Sequence, residues 1–306
     1  MKKNFARIGL ARLCGWFGIT RQAYYQNNWE GVATTLEEEL VIQQVKQIRC
    51  NHKRMGTRKL YEMLQPFMQE HAIKMGRDVL FNLLSANHLL VRRRKRRIKT
   101  TNSYHWLRKY PNLIRGFVPT AINQLWVSDI TYWKLEENPV YISFITDAYS
   151  RKIVGYQVAD TMEAIESVRA LDMALSSLGE ERPLDLIHHS DRGIQYCSQS
   201  YIKLLKENAI QISMTENGDP LENAIAERVN GIIKDEYLDN YQITTLGQAK
   251  ELLKAVIELY NTERPHMSIS NFTPNQIHQS KIKIQSEKLW KNYYRKKTTI
   301  VNPEQD

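Results

Sequence analysis

Three acidic residues stand where the surrounding sequence gives an acidic residue no ordinary reason to be. Asp129 lies in Trp126-Val127-Ser128-Asp129-Ile130-Thr131-Tyr132-Trp133, an alternating, β-rich run in which a charge is costly unless it is paired or holds a cation. Asp191 follows the short apolar strand expected over Leu184 to His189, and α/β sheets build their sites at the carboxyl ends of strands. Glu227 sits on a helix that opens at Asp219-Pro220, with Asp219 suited to the N-cap, Pro220 to the first helical position and Glu222 to a box-like cap. Between the first two lie 61 residues and between the second two 35. Carboxylates that converge from different elements hold hard divalent cations. Two such ions about 3.5–4 Å apart serve phosphodiester chemistry, activating one oxygen and stabilising another.

The helix that carries Glu227 divides into two faces at about 100° per residue. Leu221, Ile225, Val229 and Ile232 gather on one, and Asn223, Glu227, Asn230 and Lys234 on the other. A carboxylate for metal and a cation for phosphate on one stripe suit a helix that faces DNA, although a solvated face carries the same mix of charge. Other candidates have plainer explanations. Asp147 is expected to shape a hairpin turn. His188 and His189 are adjacent on a strand, so at most one of them points at a site. Glu216 and Glu222 flank a turn and a cap, Cys197 reads as a buried thiol, and Arg264-Pro265-His266 reads as a helix end.

Seven elements are expected around these residues: strands over Trp126–Trp133, Val140–Thr146 and Ile153–Val158, then a helix from Met162 to Leu178, the Leu184–His189 strand, a helix from Ser198 to Asn208, and a strand from Ile210 to Met214. Helices over Pro220–Asp239 and Leu246–Thr262 close the region. Three meander strands followed by alternating units indicate a mixed five-stranded sheet with covering helices, the ribonuclease-H-like arrangement in the α/β class. Ahead of it the sequence is all helical. Leu10, Leu13, Cys14 and Phe17 keep helical spacing, Gly18-Ile19-Thr20 gives a break and a cap, and Arg21 begins a second helix that ends near Asn28, a helix-turn-helix-like pattern. Residues 36–91 continue as helices. The expected divisions are a helical DNA-binding region at 1–91, a basic linker at 92–123, the catalytic core at 124–279 and a basic tail at 280–306.

Charge follows the same divisions. The chain of 306 residues carries a net +10, but residues 1–116 hold +16, residues 117–279 hold −10 and residues 280–306 hold +4. Arg92, Arg93, Arg94, Lys95, Arg96 and Arg97 form a run suited to phosphate contacts. A protein that merely coats DNA has no need of an acidic centre, whereas a metal-dependent enzyme acting on DNA has. Three scattered cysteines exclude a disulfide framework and a CxxC zinc site, and no glycine-rich nucleotide loop is present. With no apolar run of membrane-spanning length, the expected setting is the cytoplasm.

Taken in order, these motifs resemble a family: the DDE transposases related to retroviral integrases, in particular the large (OrfB) reading frame of bacterial insertion sequences whose transposase is split over two frames. The resemblance rests on Trp126 to Tyr132, Asp147 to Gly155, His189 to Tyr196, Glu222 to Glu227 with Lys234, Tyr260-Asn261, Arg264-Pro265-His266 and Thr273-Pro274. It implies that Asp129, Asp191 and Glu227 are a catalytic metal-binding triad served by Mg²⁺, with Mn²⁺ able to substitute, and that Lys234 contacts DNA near the element end. It also implies cleavage at the ends and transfer of the freed 3′-hydroxyl to target DNA without a covalent enzyme intermediate. Double-stranded DNA, further copies of the chain and a small upstream OrfA-type partner or fusion are the partners it implies. One departure is Ala226-Glu227-Arg228-Val229, where the family more often has an aromatic run after the glutamate. The alternatives are a structure-selective nuclease on the same fold, which has no use for the basic N-terminal region, and an inactive DNA-binding remnant or repressor, which has no use for three intact carboxylates.

Overall fold

The computed structural model of the chain describes residues 9–92, 106–136, 138–179, 183, 185–216 and 220–280. The chain falls into two compact units, Met1–Arg92 and Arg93–Asp306. The expectations placed on Arg93 to Arg97, on Leu184, on Asp219 and on residues 281–306 lie outside the described residues.

The first unit is helical: α1 (Leu10–Trp16), α2 (Arg21–Asn51), α3 (Thr57–Glu70) and α4 (Arg77–Ala86). Thr20 caps α2, its hydroxyl accepting the Ala23 N–H at 3.0 Å, so Arg21 is the first residue of that helix, and it is exposed. α2 is not the short helix expected to end near Asn28. It runs 31 residues to Asn51, because no proline interrupts the stretch and Gly31 alone is a tolerated cost. Val41, Val45, Met55, Leu60, Leu64, Leu80 and Leu84 pack α2, α3 and α4 around one core.

The second unit is built on five strands: β1 (Leu125–Lys134), β2 (Pro139–Asp147), β3 (Ile153–Ala159), β4 (Ile187–Ser190) and β5 (Gln211–Met214), in the order β3-β2-β1-β4-β5. β1 pairs antiparallel with β2 and parallel with β4, and β4 pairs parallel with β5. This is the mixed ribonuclease-H-like sheet. Helices α5 (Ala164–Ser176) and α6 (Gln199–Glu207) cover one face, burying Trp126, Ile145, Val154 and Tyr201. Helices α7 (Ala224–Ile232) and α8 (Leu246–Thr262) cover the other, burying Trp133, Ile142, Phe144 and Val158. α5 lies so close to β3 at Gly155 that a Cβ there would meet the Ala170 carbonyl oxygen at 2.2 Å, so only glycine fits.

Two features depart from the expected layout. Residues 106–123, expected as part of a linker, are packed onto the sheet: Ile114 is buried with Leu125, Val127 and Ile187, and the Leu113 N–H donates to Ser213 Oγ at 2.9 Å. The single helix expected over Pro220–Asp239 has three hydrogen-bonding patterns. A 3₁₀ turn at Pro220–Asn223 leads into α7, a π turn follows at Ile233–Tyr237, and a further 3₁₀ turn ends it at Leu238–Asn240.

Several of the family-like motifs form one structural knot. Asp147 is fully buried, and its carboxylate accepts the Ser150 N–H and hydroxyl, both at 2.7 Å, and the Asn123 N–H at 2.7 Å. Asn261 on α8 bonds the Ile153 N–H at 3.0 Å and its carbonyl at 3.1 Å. The Tyr260 hydroxyl donates to the Arg151 carbonyl at 3.0 Å. Beyond α8, α9 (Pro274–Gln279) opens on a capping box at Thr273, and His278 Nδ1 lies 3.0 Å from Ser150 Oγ. These motifs lock α8 and α9 onto the β2–β3 turn.

Candidate active site

The parallel pairing of β1 and β4 brings the two aspartates together. Leu125 stands opposite Ile187 and Ser128 opposite Ser190. Asp129, inside β1, is the next residue on one chain, and Asp191, just past the end of β4, is the next on the other, with the strands about 4.8 Å apart. The face of β1 that carries Asp129 is the one covered by α7. Leu125 and Val127, which share Asp129's side of β1, pack with Ala226 of α7.

α7 is tied to β1 by two asparagines from the stripe expected to face solvent or DNA. Asn223 Nδ2 donates to the Ser128 carbonyl at 2.9 Å and Asn230 Nδ2 donates to Asp129 Oδ2 at 2.7 Å. Lys234 is on the same stripe and is also buried: its ammonium donates to Thr131 Oγ1 at 3.3 Å and sits 4.0 Å from the centre of the Tyr132 ring. Of the four stripe residues only Glu227 is exposed. The expected open stripe is therefore a seam against β1, with Lys234 seated on Thr131 and Tyr132. The sequence carries a signal for it: Asn223 and Asn230 are seven residues apart on a helix that must lie against the strand carrying Asp129.

Asp129 feels all of this. Burial is the largest cause of a carboxyl held well above the usual carboxylate range, and the negative charges of Asp191 and then Glu227 push it further; the Asn230 hydrogen bond pulls the other way. Asp191 is held differently. Its Oδ1 accepts the Gly193 N–H at 2.9 Å, and a Cβ on Gly193 would stand 2.9 Å from that same oxygen, so the tight approach needs glycine. The three carboxylates thus share one field. Among the described residues, however, no three His, Cys, Asp or Glu side chains are gathered into a ready cluster for an ion. A groove with ≈ 490 Å³ of open space adjoins Asp191, lined in part by Ile130, Tyr132, Tyr141, Met162 and Ile194.

The two histidines are structural. His188 points to the α6 side, its Nε2 2.6 Å from Ser128 Oγ and 2.9 Å from the Tyr201 hydroxyl, and burial lowers its pKa to about 3. His189 bonds Ser213 Oγ through Nδ1 at 2.8 Å and is lowered to about 4, also by burial. Glu222 accepts the Glu216 N–H at 2.6 Å, and Cys197 is buried against Met214. Arg264, expected as a helix end, is an anchor: its guanidinium makes paired bonds of 2.8 and 2.9 Å to Glu236 in the π turn behind Lys234. Of the other basic residues expected to meet DNA, Arg92 is exposed and lies, like Arg21, in the first unit.

A ribonuclease-H-like sheet with one aspartate inside the central strand, another just past the end of the parallel strand beside it and a glutamate on the covering helix defines the class of integrase-core proteins. Residues 119–220 and 208–274 each match a model of the integrase core domain. A 31 kDa protein of insertion element IS600 from Shigella sonnei is 35% identical over 266 residues, which cover 86% of this chain and 96% of that protein. The transposase of insertion sequence IS629 from Shigella sonnei is 31% identical over 214 residues, 70% of each. Among solved structures, the HTLV-2 integrase catalytic core is 24% identical, with 52% of this chain and 98% of that one covered and a TM-score of 0.41. The chain belongs to the family of transposases of bacterial insertion sequences, which cleave DNA and transfer its strands. No helix among the described residues is long and apolar enough to cross a membrane.

Two testable outcomes arise from the electrostatics. Two like unit charges about 5 Å apart repel by roughly 3 kcal/mol at an effective dielectric near 20, and burial adds to that cost at Asp129. Asp129→Asn keeps the shape and an acceptor for Asn230, so thermal melts of the metal-free protein should show it more stable than wild type, at about 2–4 °C per kcal/mol recovered. His188 carries an acid liability. Its folded pKa of about 3 lies below the ordinary 6.5, so the unfolded chain binds the proton first and stability falls as pH drops below about 6.5. Denaturant melts of His188→Gln should show a shallower loss between about pH 6.5 and pH 4 than wild type, even if the variant is weaker at pH 8.

Proposed function

We propose that Asp129, Asp191 and Glu227 are the catalytic carboxylates of this transposase, that they hold divalent cations, Mg²⁺ with Mn²⁺ able to substitute, and that they act on double-stranded DNA at the ends of the insertion element. The observation that carries the reading is the β1–β4 register, which leaves Asp129 and Asp191 side by side with Glu227 acting on the same field. The donor set fits the ions: hard oxygens from three elements, one of them a buried carboxyl whose charge lacks compensation.

Bound divalent ions would supply activation of the attacking oxygen and neutralisation of the charge that gathers on the phosphorus oxygens. The chain's own residues do the rest. Asp129 presents oxygens from within β1 and Asp191 from just past the end of β4, two strands whose spacing the sheet fixes. Asn230 holds the Asp129 carboxylate in one rotamer, and the Gly193 N–H does the same for Asp191. Glu227 approaches from an exposed turn of α7 and completes the set on the solvent side, where DNA arrives. Lys234, anchored on Thr131 and over the Tyr132 ring, belongs to the same proposal as a contact for DNA near the element end. His188 and His189 stay neutral near pH 7.

In cleavage, water attacks the phosphorus at the element end, an O–P bond forms and the bond to the departing 3′-oxygen breaks. In transfer, that 3′-hydroxyl is the nucleophile and a target 3′-oxygen leaves. The phosphoryl group passes directly between oxygens, so no enzyme-linked intermediate is needed. The basic run Arg92 to Arg97 and Arg21 belong to the N-terminal region that would grip DNA through its phosphates. Two ends joined in one event call for more than one copy of the chain, and a small OrfA-type partner or fusion is the remaining proposed partner.

The test is strand cleavage and joining on a labelled duplex that carries the element's ends, with Mg²⁺, with Mn²⁺ and with chelator. Wild type should give metal-dependent cut and joined products, and Asp191→Asn should lose both by at least about 10³-fold. Products that persist in Asp191→Asn or in chelator would contradict the assignment.

A further inference from the structure

Tyr196 is buried at the groove that Asp191 lines, with nothing for its hydroxyl to do. The residue is 2% exposed, and the hydroxyl finds no hydrogen-bond partner among the described residues. Its neighbour makes the contrast. Tyr201 stacks edge-on against it at 5.3 Å between ring centres, and the Tyr201 hydroxyl is satisfied by His188 Nε2 at 2.9 Å. The loop that carries Tyr196 does not depend on the hydroxyl either. The Tyr196 N–H donates to the Gly193 carbonyl at 3.1 Å, the Gly193 N–H holds Asp191, and Gln195 Nε2 donates to the Met162 carbonyl at 2.9 Å. The ring is fixed by packing and the loop by other bonds.

A hydroxyl that is desolvated and unpaired is a loss to the fold, and such a group calls for a reason. Its surroundings supply one. Tyr196 lines the groove that Asp191 also lines. After burial and the adjacent Tyr201, the charges of Asp129 and Asp191 are what hold its phenol proton on. The group is therefore a buried, unpaired donor at the groove that Asp191 lines, and it feels the charges of both aspartates.

We propose that the Tyr196 hydroxyl is a positioning group for the Asp129–Asp191 pair: it donates a hydrogen bond to these carboxylates when they take up a divalent cation, and makes no bond that the resting fold needs. The inference rests on the carboxylate assignment above. Groups that orient a ligand carboxylate fix the lone pairs it presents, and their loss weakens metal affinity by about 10–100-fold.

The experiment compares wild type, Tyr196→Phe and Asp191→Asn as full chains, with Mn²⁺ as the probe. Calorimetric titration gives the affinity and a thermal melt without metal gives the fold. For Tyr196→Phe the expected result is a melting temperature equal to or above wild type, Mn²⁺ binding about tenfold weaker, and a matching loss of strand cleavage at limiting Mn²⁺ that is recovered at high Mn²⁺. A melting temperature well below wild type would mean that the hydroxyl serves the fold, and would overturn the inference. Unchanged Mn²⁺ affinity in Tyr196→Phe, with wild type binding and Asp191→Asn not, would overturn it while leaving the carboxylate assignment intact. A wild type that takes up no Mn²⁺ would overturn the assignment itself and the inference with it.

Discussion

Carboxylates brought together by neighbouring parallel strands repel one another, and a sheet accepts that repulsion only if the rest of the molecule holds the strands in register. Here the pairing of Ser128 with Ser190 sets that register, with Asp129 the next residue of β1 and Asp191 the first residue past β4. A slip of one residue would turn Asp129 to the α6 face and separate the pair. The surrounding structure is arranged to prevent it. Trp126 and Ile212 are buried under α5 and α6, Val127 and Ile187 are buried with Ala226 of α7, and Asn223 bonds the backbone of β1 at Ser128 itself.

The second dependence is on the helix that brings the glutamate. α7 presents Val229 and Ile232 to the core and Asn223 and Asn230 to β1, leaving Glu227 between them at the surface. Past Ile232 the hydrogen bonding widens to a π turn at Ile233–Tyr237. Lys234 then falls against Thr131 and Tyr132, and Glu236 falls against Arg264, buried at 1% exposure. The buried Arg264–Glu236 pair is the kind of interaction that specifies an arrangement more than it stabilises one. Here it holds the turn that seats Lys234 on Thr131 and Tyr132. The family-like motif around Arg264 thus acts on the site at a distance, through position.

Much of this is legible in the amino-acid sequence. A charge inside the β-rich run around Asp129 has to be paired or functional, and the strand alternation sets its neighbours correctly. The helix expected over Leu246–Thr262 matches α8 to the residue, because Thr245 and Gln248 make a full capping box and Pro265 prevents the helix from continuing. Other parts carry no periodic signal. A π turn looks in sequence like any other helical turn, and helical spacing groups Lys234 with Asn223 and Asn230 without telling that the stripe lies against β1. The apolar residues of 106–123, among them Leu107, Tyr110, Ile114 and Phe117, are sparse and irregular, and their burial appears only once the sheet they lie on is known. Tyr196 belongs to a family-like motif, yet nothing in its spacing can tell a satisfied hydroxyl from an unpaired one.

The central claim is that strand register builds a cation site from Asp129 and Asp191. The most direct measurement is anomalous diffraction from crystals of the protein soaked in Mn²⁺, because it reports the position of the ion without reference to activity. The account predicts an anomalous peak bridging the Asp129 and Asp191 carboxylates, absent from Asp191→Asn. A peak at another carboxylate such as Asp147, or one that survives unchanged in the variant, would contradict it.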